Sequence, residues 1–572
     1  MLGNRLLLSA TAALTWLSQV QADHHLILGA AVPDGSSGVP LRLNVNDLQA
    51  AAGPQWDLYI QAIRAMQDMK IEDKLSYFQT AGIHGKPFIQ WDAPANRRRS
   101  NEWLGYCPHG EPIFLSWHRP YVMLFEEQLV RHATAIAQRY PESVRREYVA
   151  AAKSLRAPYW DWAADNAVPP ASVPDTLTIN IASDNGVKSA NVPNPLQTYY
   201  MPRDALNGRY GPFDRERRPQ TLRCPGQYPG RANYNIRRRN LKANLYAAFI
   251  YAKNFNDFAA TANNGVGLEQ IHNWIHYDAS CGQQFWQSDL SAFDPLFMLH
   301  HANVDRLWAY WQYIRPDHAS FTGRYYGASR YASRQGATIT PESQLLPFFR
   351  TQGQMHTSNT VASINGMGYS YEGLHYWNMS STDLRRAATA LINKKYGSNS
   401  SLTTNDDKKK PSETVLESRY FVRFEIDRAH VERPCTVSVF FGGVKAGDVA
   451  VMAQPATGIM KGGFLIDDFV HKAAVRVSKL AWTCGGNVTV ACLKKWIGMR
   501  IEITRPNGTR IPCASIPSFK CCIEQVRFIP PKSIEEFPTV GFSRGVLDDG
   551  FDGLDMVGWK LFYCIATCTL VM

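Results

Sequence analysis

The chain reads as a mainly α core with large loops, followed by a β-rich, sandwich-like C-terminal domain. Three observations predict this. Apolar residues recur at helical spacing over 47–69 and 113–140, and the connections between such stretches are long and rich in Pro, Gly and Asn. Beyond residue 416 the period shortens to two in "RYFVRFEID", "TVSVFF", "AAVRVSKLAW" and "MRIEIT", the alternation of half-buried strands. A polar stretch low in aromatics separates the two regimes, and 572 residues are too many for one ordinary core.

The segments are therefore 1–22, 23–395, 396–415 and 416–572. In the first, Arg5 supplies a charge, Leu6 to Leu17 an apolar stretch, and Val20-Gln21-Ala22 a small-residue cleavage site. This is expected to be a signal peptide, giving a secreted protein, extracellular or in the cell wall; a non-cleaved anchor is the alternative. The apolar stretch and the final "WKLFYCIATCTLVM" both fall short of the roughly 18 residues of a spanning helix, so no stable membrane insertion is expected. Residues 396–415 form a linker whose Lys408-Lys409-Lys410 is open to a processing protease. Sequons at Asn378, Asn399, Asn487 and Asn507 fit export, and an odd count of 11 cysteines leaves at least one outside intrachain pairing. The net charge of +12 comes from scattered runs, such as Arg97-Arg98-Arg99 and Arg237-Arg238-Arg239. None lies in a module with interleaved stacking aromatics, so solvated surface, and no nucleic-acid partner, is the reading. There is no internal repeat.

The chemistry lies in histidine. In "EQIHNWIHYD", His272 and His276 stand one helical turn apart on one face with Glu269, and Asn273 is one turn after Glu269. Such a pair also serves zinc, but "HNWIH" lacks the glutamate that zinc peptidases place beside the first histidine. In "SAFDPLFMLHHANVDRLWAYW", Asp294-Pro295 starts a helix on which His301 lies one turn after Phe297 and one turn before Asp305. His300 points about 100° away and is taken as structural. In "GYCPHGEPIFLSWHRPYVMLFEE", His118 shares an apolar stripe with Val122, Phe125 and Leu129, where a polar ring needs a partner. His109 precedes it in a loop, and His84 stands in "AGIHGKPF". Two triads of imidazoles without thiolate or carboxylate ligands suit copper, and three ligands per metal leave positions open for an exogenous molecule.

"HGEPIFLSWHRPYVMLFE" and "DPLFMLHHANVD" resemble the two signatures of tyrosinases and related type 3 copper proteins. "GIHGKPF", "GYCPHG", "APYWDWA" and "MHTSNTV" are similar to secreted fungal members. The resemblance covers roughly residues 40–395 and extends more loosely to the β-rich tail. It implies a four-helix bundle holding a dicopper site, with His84, His109 and His118 on the first copper and His272, His276 and His301 on the second. Dioxygen would be the co-substrate. Cys107 stands where fungal members form a cysteine–histidine thioether, here with His109; a free or disulfide-bonded Cys107 is the alternative. Cys224 and Cys281 would then form a disulfide within the core.

The activity implied is ortho-hydroxylation of tyrosine-like phenols and oxidation of o-diphenols to o-quinones, feeding melanin-type pigment. Glu269 and Asn273 would hold a water that accepts the phenol proton. Phe297 would pack over the copper pair, and Arg119 and Asp305 would orient the ligand helices, a plain core ion pair being the other reading. The C-terminal domain is expected to be an intramolecular lid that keeps the chain latent until the linker is cut, rather than a separate wall-binding module. Rival activities are catechol oxidase without hydroxylation, an oxygen carrier of the haemocyanin kind, and, more distantly, a zinc hydrolase. The tail departs from the family pattern: no CxxC copper-relay motif stands out, and the stretch from "RGVLDDGFDGLDMVGWK" onward does not resemble the usual ending.

Overall fold

The computed structural model describes residues 23–92, 105–183, 186–261, 266–331, 333–397, 417–441, 443–470, 499–505, 507–512 and 515–545. The expected signal peptide, most of the linker, the strand expected at 473–482, Asn399, Asn487 and the atypical ending lie outside these residues. Asn378 and Asn507 are exposed. Among the described residues no helix is long and apolar enough to cross a membrane.

Four helices carry the core: Gly53–Gln67, Phe114–Ala137, Leu268–Ser280 and Leu296–Ile314. The first was expected as one run over 47–69. It is instead two helices, Val45–Ala51 and Gly53–Gln67, broken where Ala52 turns to φ 52°. Pro54 is the reason: its ring lacks an N–H and disfavours α geometry at residue 53. The Phe114–Ala137 helix packs on both Gly53–Gln67 and Leu296–Ile314, and Leu268–Ser280 meets Leu296–Ile314. Nearly every side chain of the Leu296–Ile314 helix is buried, which makes it the central rod.

The C-terminal domain is two four-stranded antiparallel sheets. One runs Ile459–Leu465, Glu417–Asp427, Lys520–Ile529, Thr539–Gly545; the other runs Arg510–Ile511, Met499–Thr504, Cys435–Phe441, Val444–Val451. The sheets pack closely at Gly447, where a Cβ would stand 2.2 Å from the Phe464 ring. Three of the four strand segments read from alternation are thus present, and the fourth lies outside the described residues.

This domain sits on the back of the Leu268–Ser280 helix. The Gln270 amide takes the place of a strand partner, donating to the Gly463 carbonyl at 2.6 Å and accepting the Gly463 N–H at 3.1 Å. Trp274 Nε1 donates to the Asp448 carbonyl at 2.9 Å, and Arg239 is held between Asp278 and Asp448. Farther out, Asn244 Oδ1 accepts the Leu465 N–H, and Asn393 Nδ2 donates to the carbonyls of Ile534 and Glu536.

The Ser381–Tyr396 helix closes the core one residue past the boundary read from composition. Its last residue is its anchor. The Tyr396 hydroxyl donates to the Asp161 carboxylate at 2.8 Å, and Arg306 bonds both groups, all fully buried. Tyr396→Phe removes this donor from a buried carboxylate and is expected to lower stability by about 2 kcal/mol in chemical denaturation.

Candidate metal centre

All six histidines singled out from the sequence converge, and each is at most 4% exposed. They form two groups: His84 and His118 with His109 and Cys107, and His272, His276 and His301 with His300. Within each group one ligand atom per residue lies within 4.8 Å of the others. The groups abut, with His118 stacked on His301 at 4.2 Å between ring centroids.

For four of the six rings an outer partner decides which nitrogen points inward. His118 Nδ1 meets the Phe114 carbonyl one turn back at 2.8 Å, and His84 Nδ1 meets the Ser288 carbonyl at 2.8 Å. His276 Nδ1 meets the Phe285 carbonyl at 2.6 Å, and His272 Nδ1 meets Asn273 Oδ1 at 2.9 Å. These oxygens only accept, so in a neutral ring the proton is on Nδ1 and the lone pair on Nε2. Burial keeps the rings neutral. It pushes the pKa of His84 and His272 down to about 3, and those of His109, His118, His276 and His301 well below the usual histidine value.

The inward nitrogens then meet head on. His276 Nε2 lies 2.9 Å from His272 Nε2, which lies 3.2 Å from His301 Nε2. The first pair are two lone pairs facing each other with no proton between them. His84 Nε2 is buried without any partner. Donors about 2.0 Å from a tetrahedral metal stand about 3.3 Å apart, so the second triad has the spacing of a metal-binding set. The donor chemistry and geometry both fit a borderline metal such as copper.

His300 also belongs to the second cluster, but it is no ligand. Its Nδ1 accepts the Trp162 indole N–H at 3.1 Å, and an indole only donates. The His300 proton therefore sits on Nε2, and the ring lies flat against His272 at 4.8 Å. The Trp162 contact supports the structural reading of this residue, for a reason absent from the local sequence.

Two phenylalanines floor the site. Phe297 stacks on His301 at 4.2 Å and meets His84 at 5.0 Å. Phe114, which the sequence analysis passed over, meets His118 at 4.8 Å and His272 at 4.9 Å. A signal existed: Phe114 precedes His118 by one turn, as Phe297 precedes His301.

Cys107 is buried beside the His109 loop, its sulfur 3.7 Å from both His109 ring nitrogens and 3.4 Å from His118 Nε2. Burial pushes the thiol pKa well above its usual value, with Glu269 adding to the effect. Glu269 does not face open space. Its Oε1 accepts the Gly110 N–H at 2.5 Å and its Oε2 the Thr261 N–H at 2.9 Å, tying the His109 loop to the His272 helix. Burial raises its pKa to about 6 against the pull of these bonds. Asn273 stands behind His272, as orienter of that ring. Cys224 and Cys281 are disulfide-bonded, clamping the end of the His276 helix.

Arg119 and Asp305 lie behind the rings rather than among them. Asp305 accepts from Arg119 Nε at 2.6 Å, Arg42 Nη1 at 3.0 Å, and the Tyr369 and Tyr371 hydroxyls at 2.7 Å. The His118 helix, the His301 helix and two outer segments are pinned at one carboxylate. His356, from "MHTSNTV", ties the segment around Ile27 to the core through the Ile27 carbonyl at 2.8 Å.

A buried cluster of neutral imidazoles with opposed lone pairs defines a binuclear metal protein. Comparison with known proteins agrees: residues 74–314 match the common central domain of tyrosinase. The chain is 35% identical to a tyrosinase of Neurospora crassa over 65% of its own length and 58% of that protein's. It is 32% identical to a tyrosinase of Podospora anserina, over 64% of this chain and 68% of the relative. In fold it is similar to recombinant mushroom tyrosinase, with TM-score 0.75 at 20% identity, covering 91% of this chain and 98% of the other. A mutant Aspergillus oryzae pro-tyrosinase gives 0.69, covering 92% and 97%. The chain belongs to the tyrosinase family.

Asp305→Asn leaves two buried guanidinium groups without their shared charge and is expected to cost about 3–5 kcal/mol in chemical denaturation. Burial works against the Asp305 charge, but Arg119 and Arg42 outweigh it and hold the pKa below 3.8. Its stabilisation is therefore complete above pH 3.8 and lost as acid passes through the lower folded value; the variant should lack this acid-dependent component.

Proposed function

We propose that the chain is a dicopper phenol oxidase that ortho-hydroxylates phenols and oxidises o-diphenols to o-quinones. The observation that carries this reading is the pair of abutting neutral triads, the second of which turns the Nε2 atoms of its rings on one another. His84, His109 and His118 would hold one copper, and His272, His276 and His301 the other. The chemistry a bound copper pair supplies is the two-electron reduction of dioxygen, shared between neighbouring ions.

The chain's own residues do the rest. Carbonyls on the outer nitrogens fix the ring directions, and Phe114 and Phe297 keep the site dry. A phenol must lose a proton of pKa about 10 to be hydroxylated. Glu269 and Asn273 are the proposed holders of the water that takes it; Glu269 Oε1 keeps a lone pair beyond its backbone bond, whereas Oε2 also accepts from Thr261 Oγ1 at 3.3 Å. Catechol oxidase, without hydroxylation, is the second reading, favoured by the backbone bonds that already occupy Glu269. Pigment formation from the quinone is the proposed use.

The β-rich domain is proposed to be a latency lid. Its segment 450–455 reaches the His109 loop, where Gln454 and Pro455 meet Cys107, Pro108, His109 and Arg330 around about 10 Å³ of residual space. That is the room of a single water. Arg428 is buried alongside, donating to Thr261 Oγ1 at 2.9 Å. Gly110, at φ +69°, makes way for both: a Cβ there would stand 2.8 Å from Arg428 and 3.3 Å from Pro455. Cutting the expected linker, by a protease in the exported protein, would release this cover.

Copper-loaded chain should take up oxygen with catechol only weakly until trypsin cuts at Lys408–Lys410, and then strongly. Uptake with tyrosine marks the hydroxylase; uptake with catechol alone marks the second reading. Neither, with copper bound, refutes both. His118→Ala and His272→Ala should each halve the copper bound per chain. A Cys107–His109 thioether, a two-electron oxidation, should appear as a peptide lighter by two hydrogens in mass spectrometry of copper-loaded but not copper-free material.

A further inference from the structure

The proposed lid segment 450–455 runs between two contacts, or rims, on the core. At one end Gln454 and Pro455 meet the His109 loop. At the other, Ala450 and Met452 pack on Trp286, with Tyr277 against them. This second rim adjoins the second triad. Tyr277 follows His276 in sequence, and Trp286 follows Phe285, whose carbonyl holds His276 Nδ1 and whose ring lies 4.3 Å from the His276 ring. The two rim rings stand edge to face, 5.5 Å apart.

Trp286 differs from several buried indoles of the core. Trp117, Trp160, Trp308 and Trp311 each donate their Nε1–H to a backbone carbonyl at 2.7–2.9 Å. Trp286 is 3% exposed, and its Nε1 has no acceptor. A buried donor left unpaired costs about 1–3 kcal/mol, and an indole nitrogen cannot turn acceptor to escape. Met452, which covers it, offers at best a weak acceptor. The charge around the rim also changes with the lid. Arg239 acts on the Tyr277 hydroxyl from nearby and is shared between Asp278 of the core and Asp448 of the lid. Removing the lid takes away Asp448 together with its Lys445 partner and leaves Arg239 paired with Asp278 alone.

We propose that the uncovered Trp286 is a substrate-binding residue. Its ring and that of Tyr277 would wall the para side chain of a bound phenol, and its N–H would donate to a carboxylate ending that side chain. The preferred substrates are then phenols and o-diphenols with a carboxylate-terminated side chain. This rests on the phenol-oxidase reading and goes beyond it, by assigning specificity to a residue that the lid hides.

The test uses copper-loaded full-length chain, wild type and Trp286→Phe, each nicked by trypsin in the linker. Phenylalanine keeps the ring and loses only the N–H. For dihydrocaffeate, which bears the carboxylate, KM should rise about tenfold with kcat unchanged, the size of one hydrogen bond to a charged group. For ethylcatechol, which lacks it, KM should stay within about twofold. Parallel rises for both, or no change for either, overturn the proposal. Binding of inert phenylpropionate, followed by tryptophan fluorescence, separates the two readings. It should weaken about tenfold in the variant, and equal binding overturns the assignment whatever the turnover. Trp286-dependent binding without oxidation of either diphenol sinks the phenol-oxidase reading and leaves this one standing. In the uncut chain, Trp286→Phe should melt no lower than wild type; a marked fall means that the N–H has a partner and overturns the premise.

Discussion

The arrangement turns on one electrostatic fact: neutral imidazoles whose lone pairs face each other in a dry pocket. Each backbone carbonyl on an outer nitrogen looks like a routine satisfied hydrogen bond. Together they forbid the protons from moving inward, where a shared proton would relieve the 2.9 Å contact between His272 and His276. What remains to relieve it is a cation. The inward lone pairs are the donors a cation would use, and burial, by opposing protonation, keeps them free for it.

Holding six rings in that state requires that the helices not drift. Asp305 is the fastening between the two helices that carry His118 and His301, and it is paired twice over with arginine because a lone buried carboxylate would be costly. The Cys224–Cys281 bridge performs the same service at the end of the His276 helix. The ligand carried by no helix, His109, is secured instead through its neighbours. Gly110 is bonded to Glu269, and Glu111 is gripped by Arg330 and Tyr325.

The Leu268–Ser280 helix faces two ways. His272 and His276 look into the site, while Gln270 and Trp274 bind the C-terminal domain. A domain attached to the back of a ligand helix and reaching round to the His109 loop touches both halves of the site at once. The C-terminal domain and the metal centre therefore share a structural element.

The sequence by itself determined the chemical identity of the site. Helical spacing put His272, His276, His118 and His301 on inward faces, and the alternation beyond residue 416 announced the β domain, because both periodicities are local consequences of backbone geometry. Local pattern also placed a Phe one turn before His301, and the same pattern at Phe114 was there to be read. Only the tertiary structure decided the rest. Which nitrogen of each ring faces inward depends on carbonyls as remote as Ser288 for His84, and the exclusion of His300 depends on Trp162. The pinning of Asp305 by Tyr369 and Tyr371 and the unpaired indole of Trp286 likewise arise from residues far apart in the chain. Hydrogen-bond satisfaction is a property of the packed whole, and no window of sequence contains it.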